Sequence, residues 1–198
     1  MKKGNWLKWF IVTLVFSLLF GVVGCSNFSI FPPTPTENPN PTPAPTETPV
    51  DSGINFTLPN LDGEEVSLRE FRGKPVLVFF FKSYCSYCKE EAPTIQRIYS
   101  RHQEELVVLG VAVNENHGSG SLITSPEEYT QIIRTNFVNK YNWTFPVLID
   151  NYGKVQTEYV GKGVPSFLFL NEKGEIQRTL INPVSESELE SLLYQYLL

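Results

Sequence analysis

At 198 residues, with apolar side chains at 41% and aromatics at 13%, the chain is too hydrophobic for a disordered protein and long enough for one domain with its own core. Its net charge of −5 supplies no basic footprint, so nucleic acid is not an expected partner. Three cysteines are an odd number, and in an exported protein one of them then needs a role other than pairing within the chain.

The chain opens with Lys2, Lys3 and Lys8 around apolar and small residues from Trp9 to Val23, ending at Gly24 and Cys25. This is a signal-peptide layout, and Val22-Val23-Gly24-Cys25 resembles the bacterial lipobox, whose cysteine is lipidated and becomes the first residue after cleavage. Residues 1–24 are therefore expected to form a lipoprotein signal peptide, with Cys25 as the lipidation site. The alternative is an uncleaved anchor helix, although the apolar run falls short of the ~20 residues that a span needs. Cleavage would remove three lysines and no acid, taking the net charge from −5 to −8, so attraction to anionic lipid is not the anchor. Residues 25–50 read as a tether. Between Pro32 and Pro49, eight of eighteen residues are proline, interleaved with Thr, Asn and Glu. Such a stretch cannot bury a core, and at about 3.1 Å per residue it reaches on the order of 50 Å.

Residues 51–198 read as one domain in which apolar β-type runs alternate with helical patterns, the signature of an α/β sheet. Strands are predicted at Pro75–Phe81, Leu106–Val113, Val147–Ile149, Phe167–Leu170 and Glu175–Leu180. The last two are joined by the turn-forming Asn171-Glu172-Lys173-Gly174 and so should make an antiparallel hairpin at the end of a parallel set. The first helix is predicted from Cys85 to about His102, which would complement the dipole at its C-terminal end. The second opens at Ser125-Pro126-Glu127-Glu128, with an N-cap serine, proline in the first turn and a capping-box glutamate. The third opens with Ser185 and Glu188 in the same relation and places Leu189, Leu192, Leu193, Tyr196 and Leu197 on one face. Between them, Asn114 to Thr124 is a polar Gly/Ser loop longer than the fold requires, in which His117 reads as a solvated side chain.

The strand ending at Phe81 feeds Lys82-Ser83-Tyr84-Cys85-Ser86-Tyr87-Cys88 directly into a helix. A C-x-x-C pair at a helix N-terminus meets unsatisfied N–H groups and the positive end of the dipole, which favour the thiolate that attacks disulfides. Cys85, earlier and more exposed, is the expected nucleophile. Cys88, one turn on, is the expected resolving residue that displaces the mixed disulfide. Glu90 and Glu91 are expected in the first turn, where they suit the dipole and slightly oppose thiolate formation. A zinc half-site is the competing reading, but the chain offers no second C-x-x-C, and no metal is expected. Two incidental core cysteines are a further alternative. No cofactor is expected beyond the redox-active Cys85–Cys88 pair.

Asn55-Phe56-Thr57-Leu58-Pro59, Asp62-Gly63, Val66-Ser67-Leu68 and Arg72-Gly73-Lys74-Pro75, ahead of Cys85-Ser86-Tyr87-Cys88, resemble the TlpA/ResA group of extracytoplasmic thioredoxin-like proteins, within the AhpC/TSA-Redoxin superfamily. The likeness continues through Pro93, Phe145-Pro146-Val147-Leu148-Ile149-Asp150 and Gly163-Val164-Pro165-Ser166. It implies an α/β, thioredoxin-like fold: a central mixed β-sheet flanked by helices, with an N-terminal extension. It implies a cis peptide before Pro165, opposite the cysteines, with the Val164 backbone pairing with a substrate strand. Tyr84, Ser86, Tyr87, Val164 and Pro165 are then the expected substrate-binding residues. The implied activity is thiol-disulfide exchange at the outer face of the cell membrane, with a lipid on Cys25 as anchor. The implied partners are exported proteins or apocytochromes carrying cysteines, together with a membrane thiol-disulfide electron donor, and the reductant direction is favoured.

The departures are local. Tyr84 stands where thioredoxins carry Trp, and Tyr87 replaces the proline common before the second cysteine. Phe79 occupies the position of a buried Asp or Asn, so no base is expected beside Cys88 from that strand. A thiol peroxidase would place Thr and Arg where Val78 and Lys82 stand, a copper-delivery protein would need C-x-x-x-C, and a non-catalytic binding module would leave the Cys pair and Pro165 unexplained.

Overall fold

The computed structural model describes residues 52–116 and 119–198. The expected signal peptide (1–24), Cys25 with its tether (25–50) and His117 lie outside the described residues. The first described elements are β1 (Thr57–Pro59) and β2 (Glu65–Ser67), a short antiparallel ribbon. A 3-10 turn, Leu68–Phe71, follows it. Ser67 and Glu70 cap that turn reciprocally, the Ser67 hydroxyl accepting the Glu70 N–H and the Glu70 carboxylate accepting the Ser67 N–H at 2.8 Å.

β3 (Val76–Phe81) is buried over its whole length and leads into α1 (Ser86–His102). Then come β4 (Val107–Asn114), α2 (Pro126–Ile133) with a wider π-type continuation over Arg134–Asn139, and β5 (Val147–Asn151). The short α3 (Lys154–Tyr159) precedes β6 (Ser166–Leu170), β7 (Ile176–Ile181) and the final α4 (Glu186–Tyr196). The five long strands form one sheet in the order β5-β4-β3-β6-β7. β3, β4 and β5 run parallel, while β6 is antiparallel to β3 and β7 to β6. Asn171 holds the β6–β7 turn, its side-chain oxygen accepting the Lys173 and Glu175 amides at 3.0 and 2.9 Å.

The mixed sheet and its hairpin edge agree with the sequence reading, which missed the ribbon, the 3-10 turn, α3 and the π segment. Both predicted N-caps form, Ser125 accepting from Glu128 N–H at 3.2 Å and Ser185 from Glu188 N–H at 3.3 Å. The capping box expected at Glu128 does not close, because that carboxylate takes the Thr124 hydroxyl instead.

The period-2 geometry of β3 divides the core. Leu77, Phe79 and Phe81 face a layer built with α1, α2 and α4, whereas Val76, Val78 and Phe80 face the ribbon, Leu68 and Val160 after α3. The larger rings lie on the helical side. Gly110, opposite Phe79 in β4, leaves room for them: a Cβ there would meet the Phe145 ring at 3.2 Å. Trp143 is the hub of this aromatic layer, with ring centres of Phe81, Phe137 and Phe145 at 5.2, 5.4 and 4.8 Å. Its indole N–H donates to the Ala92 carbonyl of α1 at 2.9 Å, tying that helix to the segment that leads into β5. Trp143→Ala removes both the ring and this bond and is expected to destabilise the domain by roughly 3–5 kcal/mol, read as the urea midpoint at unchanged slope.

Candidate active site

The site sits where β3 runs out. Lys82, just beyond the strand, is buried, and its carbonyl accepts the Cys85 N–H at 3.1 Å, so the chain turns tightly before the helix begins. Cys85 is the N-cap of α1, with extended backbone, and its Sγ accepts the Cys88 N–H at 3.1 Å. The sulfur thus occupies the place that a serine or aspartate oxygen fills in an ordinary cap, facing the positive end of the helix. The two cysteines are joined by a disulfide with their Cα atoms 5.2 Å apart. Cys85 is half-buried and Cys88 fully buried, so an incoming sulfur reaches Cys85 first.

Tyr84 and Tyr87 flank the pair with exposures of 42% and 57%, and Ser86 between the cysteines is exposed as well. The Val164–Pro165 peptide is cis, and the Val164 carbonyl oxygen lies 3.9 Å from Cys85 Sγ. Pro165 is buried and Val164 half-buried. All seven predicted site residues of the domain therefore come together at the C-terminal ends of β3 and the N-terminal end of β6.

Two sequence expectations need correction. Because Cys85 is the cap, α1 starts at Ser86 and has no acid in its first turn; Glu90 and Glu91 stand in the second. Glu91 is not a surface complement to the dipole either. It is 6% exposed, one turn on from Cys88 on the same buried face, and its carboxylate accepts the Val184 N–H at 2.6 Å. Burial pushes its pKa up, the Val184 bond pulls part of the way back, and Glu90 adds a further upward push. Phe79 is confirmed as core, stacked with Phe81 and Phe167 at 5.4 and 5.3 Å. Strand β3 thus presents no titratable group at this level, and Glu91 is a buried carboxyl on the same helix face as Cys88, one turn on. The signal was in the periodicity: Cys88, Glu91, Ala92, Ile95, Ile98 and His102 share the buried face.

Two further side chains brace the turn, neither of them expected in this role from the sequence. Lys82 forms a buried ion pair with Glu115 at 3.0 Å, and Glu115 also accepts the Gly120 N–H at 3.1 Å, fastening the long loop after β4. The Tyr129 hydroxyl of α2 donates to the Val113 carbonyl at 2.8 Å and accepts the Ser83 N–H at 3.3 Å. Burial pushes the Tyr129 pKa far up, so the hydroxyl keeps its proton and its donor role. His102 is more than a dipole complement: its ring nitrogens lie 2.9 Å from Glu105 and from Glu190, joining α1 to α4.

The model of the AhpC/TSA family matches residues 50–179. The thiol-disulfide oxidoreductase ResA of Halalkalibacterium halodurans is 32% identical over 143 residues, 72% of this chain and 74% of that protein. The sporulation thiol-disulfide oxidoreductase A of Bacillus subtilis is 31% identical over 135 residues, 68% of this chain and 75% of that one. Among solved structures, the exposed lipoprotein thioredoxin Etrx1 of Streptococcus pneumoniae superposes with a TM-score of 0.60 at 24% identity, over 72% of this chain and 99% of its own, a likeness of fold. The chain belongs to the AhpC/TSA family and is one of its thioredoxin-fold, ResA-like thiol-disulfide oxidoreductases.

Proposed function

We propose that this oxidoreductase works at the outer face of the cell membrane, tethered by a lipid on Cys25, and reduces disulfides in exported proteins or apocytochromes. The observation that carries the exchange chemistry in this reading is the asymmetry of the pair: Cys85 is reachable and its Sγ accepts a helix N–H, and Cys88 is buried behind it. In the reduced enzyme the Cys85 thiolate attacks one sulfur of the partner disulfide, forming a mixed disulfide and releasing the partner's other sulfur as a thiolate, which takes up a proton. Cys88 then loses its proton to Glu91 and attacks Cys85 Sγ. The Cys85–Cys88 disulfide forms, the second partner sulfur leaves with a proton, and two electrons have passed to the partner. A membrane dithiol returns the enzyme to its reduced form by the reverse chemistry. Tyr84, Ser86, Tyr87 and Val164 form the surface on which the partner segment lies, beside Pro165.

Cys88→Ser is expected to accumulate mixed disulfides through Cys85, and Cys85→Ser to accumulate none. Non-reducing gels of cell extracts read this, and equal adducts in both variants would overturn the roles. The reductant direction predicts a reduction potential of about −270 mV or lower against glutathione and thioredoxin, whereas a value near about −120 mV reverses it. Cys25→Ser should abolish fatty-acid labelling while leaving the activity of the purified protein intact. Persistent labelling would remove the anchor.

Glu91→Gln gives a paired readout. Glutamine still accepts the Val184 N–H but takes no proton from Cys88, so decay of the mixed disulfide should slow at neutral pH while the first attack by Cys85 is unchanged. Stability moves the other way. A carboxyl whose pKa is raised in the folded state contributes stability that is fully present below its unfolded value, about 4.3, and lost as pH rises through the folded value. Wild type and variant should therefore unfold alike near pH 4, with the variant the more stable at pH 8, as measured by urea titration.

A further inference from the structure

The loop that brings Val164 beside the disulfide is gripped at Gly163. The Gly163 carbonyl accepts a hydrogen bond from Gln156 Nε2 at 2.7 Å, and a Cβ on Gly163 would fall 2.5 Å from Ile181 Cγ2, so β7 closes directly against this residue. Gln156 is the one buried side chain of α3, at 1% exposure. That position faces the core, where a polar side chain costs stability unless its hydrogen bonds are made. The Gln156 amide makes such a bond, donating to the Gly163 carbonyl. Its own backbone N–H donates to Asp150 Oδ2 at 2.8 Å, and Asp150, itself buried at the end of β5, also faces the Lys154 and Val155 amides. A continuous path thus runs from the β5 carboxylate through the first turn of α3 and the Gln156 amide to the Gly163 carbonyl. One peptide further on, Val164 presents its carbonyl oxygen 3.9 Å from Cys85 Sγ.

We propose that Gln156 is a positioning residue for partner recognition: by holding the Gly163 carbonyl it sets the height of the Val164 backbone, against which an extended segment of a partner polypeptide aligns beside Cys85. The inference rests on the reading of Val164 as partner-binding surface. It assigns Gln156 no contact with the reacting sulfurs, so its loss should weaken reaction with polypeptide disulfides and spare small ones that need no backbone alignment.

The test uses the full chain in detergent, with insulin as the polypeptide disulfide and Ellman's reagent as the small one. Gln156→Met keeps the length of the side chain and deletes the donor. Gln156→Glu keeps the shape and turns a carboxylate oxygen on the Gly163 carbonyl. The KM for insulin should rise roughly five- to tenfold for the methionine variant, the worth of about one hydrogen bond, and further for the glutamate variant. In both, kcat with insulin and the rate with Ellman's reagent should stay within about twofold of wild type. An unchanged insulin KM in both variants overturns the role of Gln156, as does a fall with Ellman's reagent that matches the fall with insulin, which would mark a general structural defect. Failure of the wild-type protein itself to reduce insulin would instead overturn the partner-binding reading on which the inference stands.

Discussion

The constraint on which the site depends is the burial of β3 on both faces. Its side chains from Val76 to Phe81 are all inaccessible, and its hydrogen-bonding edges are taken by β4 on one side and β6 on the other. A strand so enclosed has no freedom to slide, because a shift of one residue would send Phe79 and Phe81 toward the ribbon and Val78 and Phe80 toward α1. The Cys85 turn begins one residue beyond this strand, and Pro165 stands immediately before β6, the antiparallel neighbour. Strand pairing therefore fixes the separation of the two halves of the site. The distance from Cys85 to the Val164 carbonyl is a property of the sheet as much as of the loops that carry them.

Within that frame the two cysteines are made different by depth. Cys85 takes the capping position, where a thiolate gains the helix N–H groups without losing contact with water. Cys88 faces an apolar layer of Ala92, Ile95 and the rings around Trp143, where desolvation disfavours its charged form. Glu91 shares this buried face, where burial raises its pKa and the Val184 N–H offsets part of the rise. Placing the carboxylate on the helix leaves β3 free to be wholly aromatic and aliphatic at this level, which is how Phe79 can join the stack of Phe81 and Phe167.

How far the sequence discloses this depends on whether a feature is local. The six-residue run of β3, the Cys85–Cys88 spacing, the serine caps of α2 and α4 and the Asn171–Gly174 turn each declare themselves within a few residues, and each is found where the sequence places it. The ribbon strands span three residues each and have no periodicity to read. Helix α3 is equally silent, because it starts from Gly153 in the left-handed region at φ 64°, with no side-chain cap to announce it. Glu91 is marked by its place on the buried face of α1, a signal that its charge conceals. Lys82, Glu115, Tyr129 and Gln156 are different in kind. Their partners lie on other elements, and nothing in a single segment marks which polar side chain will turn inward.

These inward polar groups have a common geometry. Glu115 follows β4, Asp150 is the last residue but one of β5 and Lys82 follows β3, so three ionisable side chains gather at the C-terminal ends of the parallel strands, each buried and each engaged. Parallel strands deliver their successors to the same edge, and the turns leaving that edge must be held without adding apolar bulk that would close the approach to Cys85. Hydrogen bonds and an ion pair meet that need, since they fix direction as well as distance. The Lys82–Glu115 pair ties the active-site turn to the loop after β4, and Asp150 with Gln156 ties the loop before β6 to the end of β5. A buried ion pair of this sort adds little net stability over an apolar pair of equal volume, because desolvation offsets most of the attraction. Its value here is orientation, and the stability that carries it comes from the aromatic core, where Trp143 holds α1 in place.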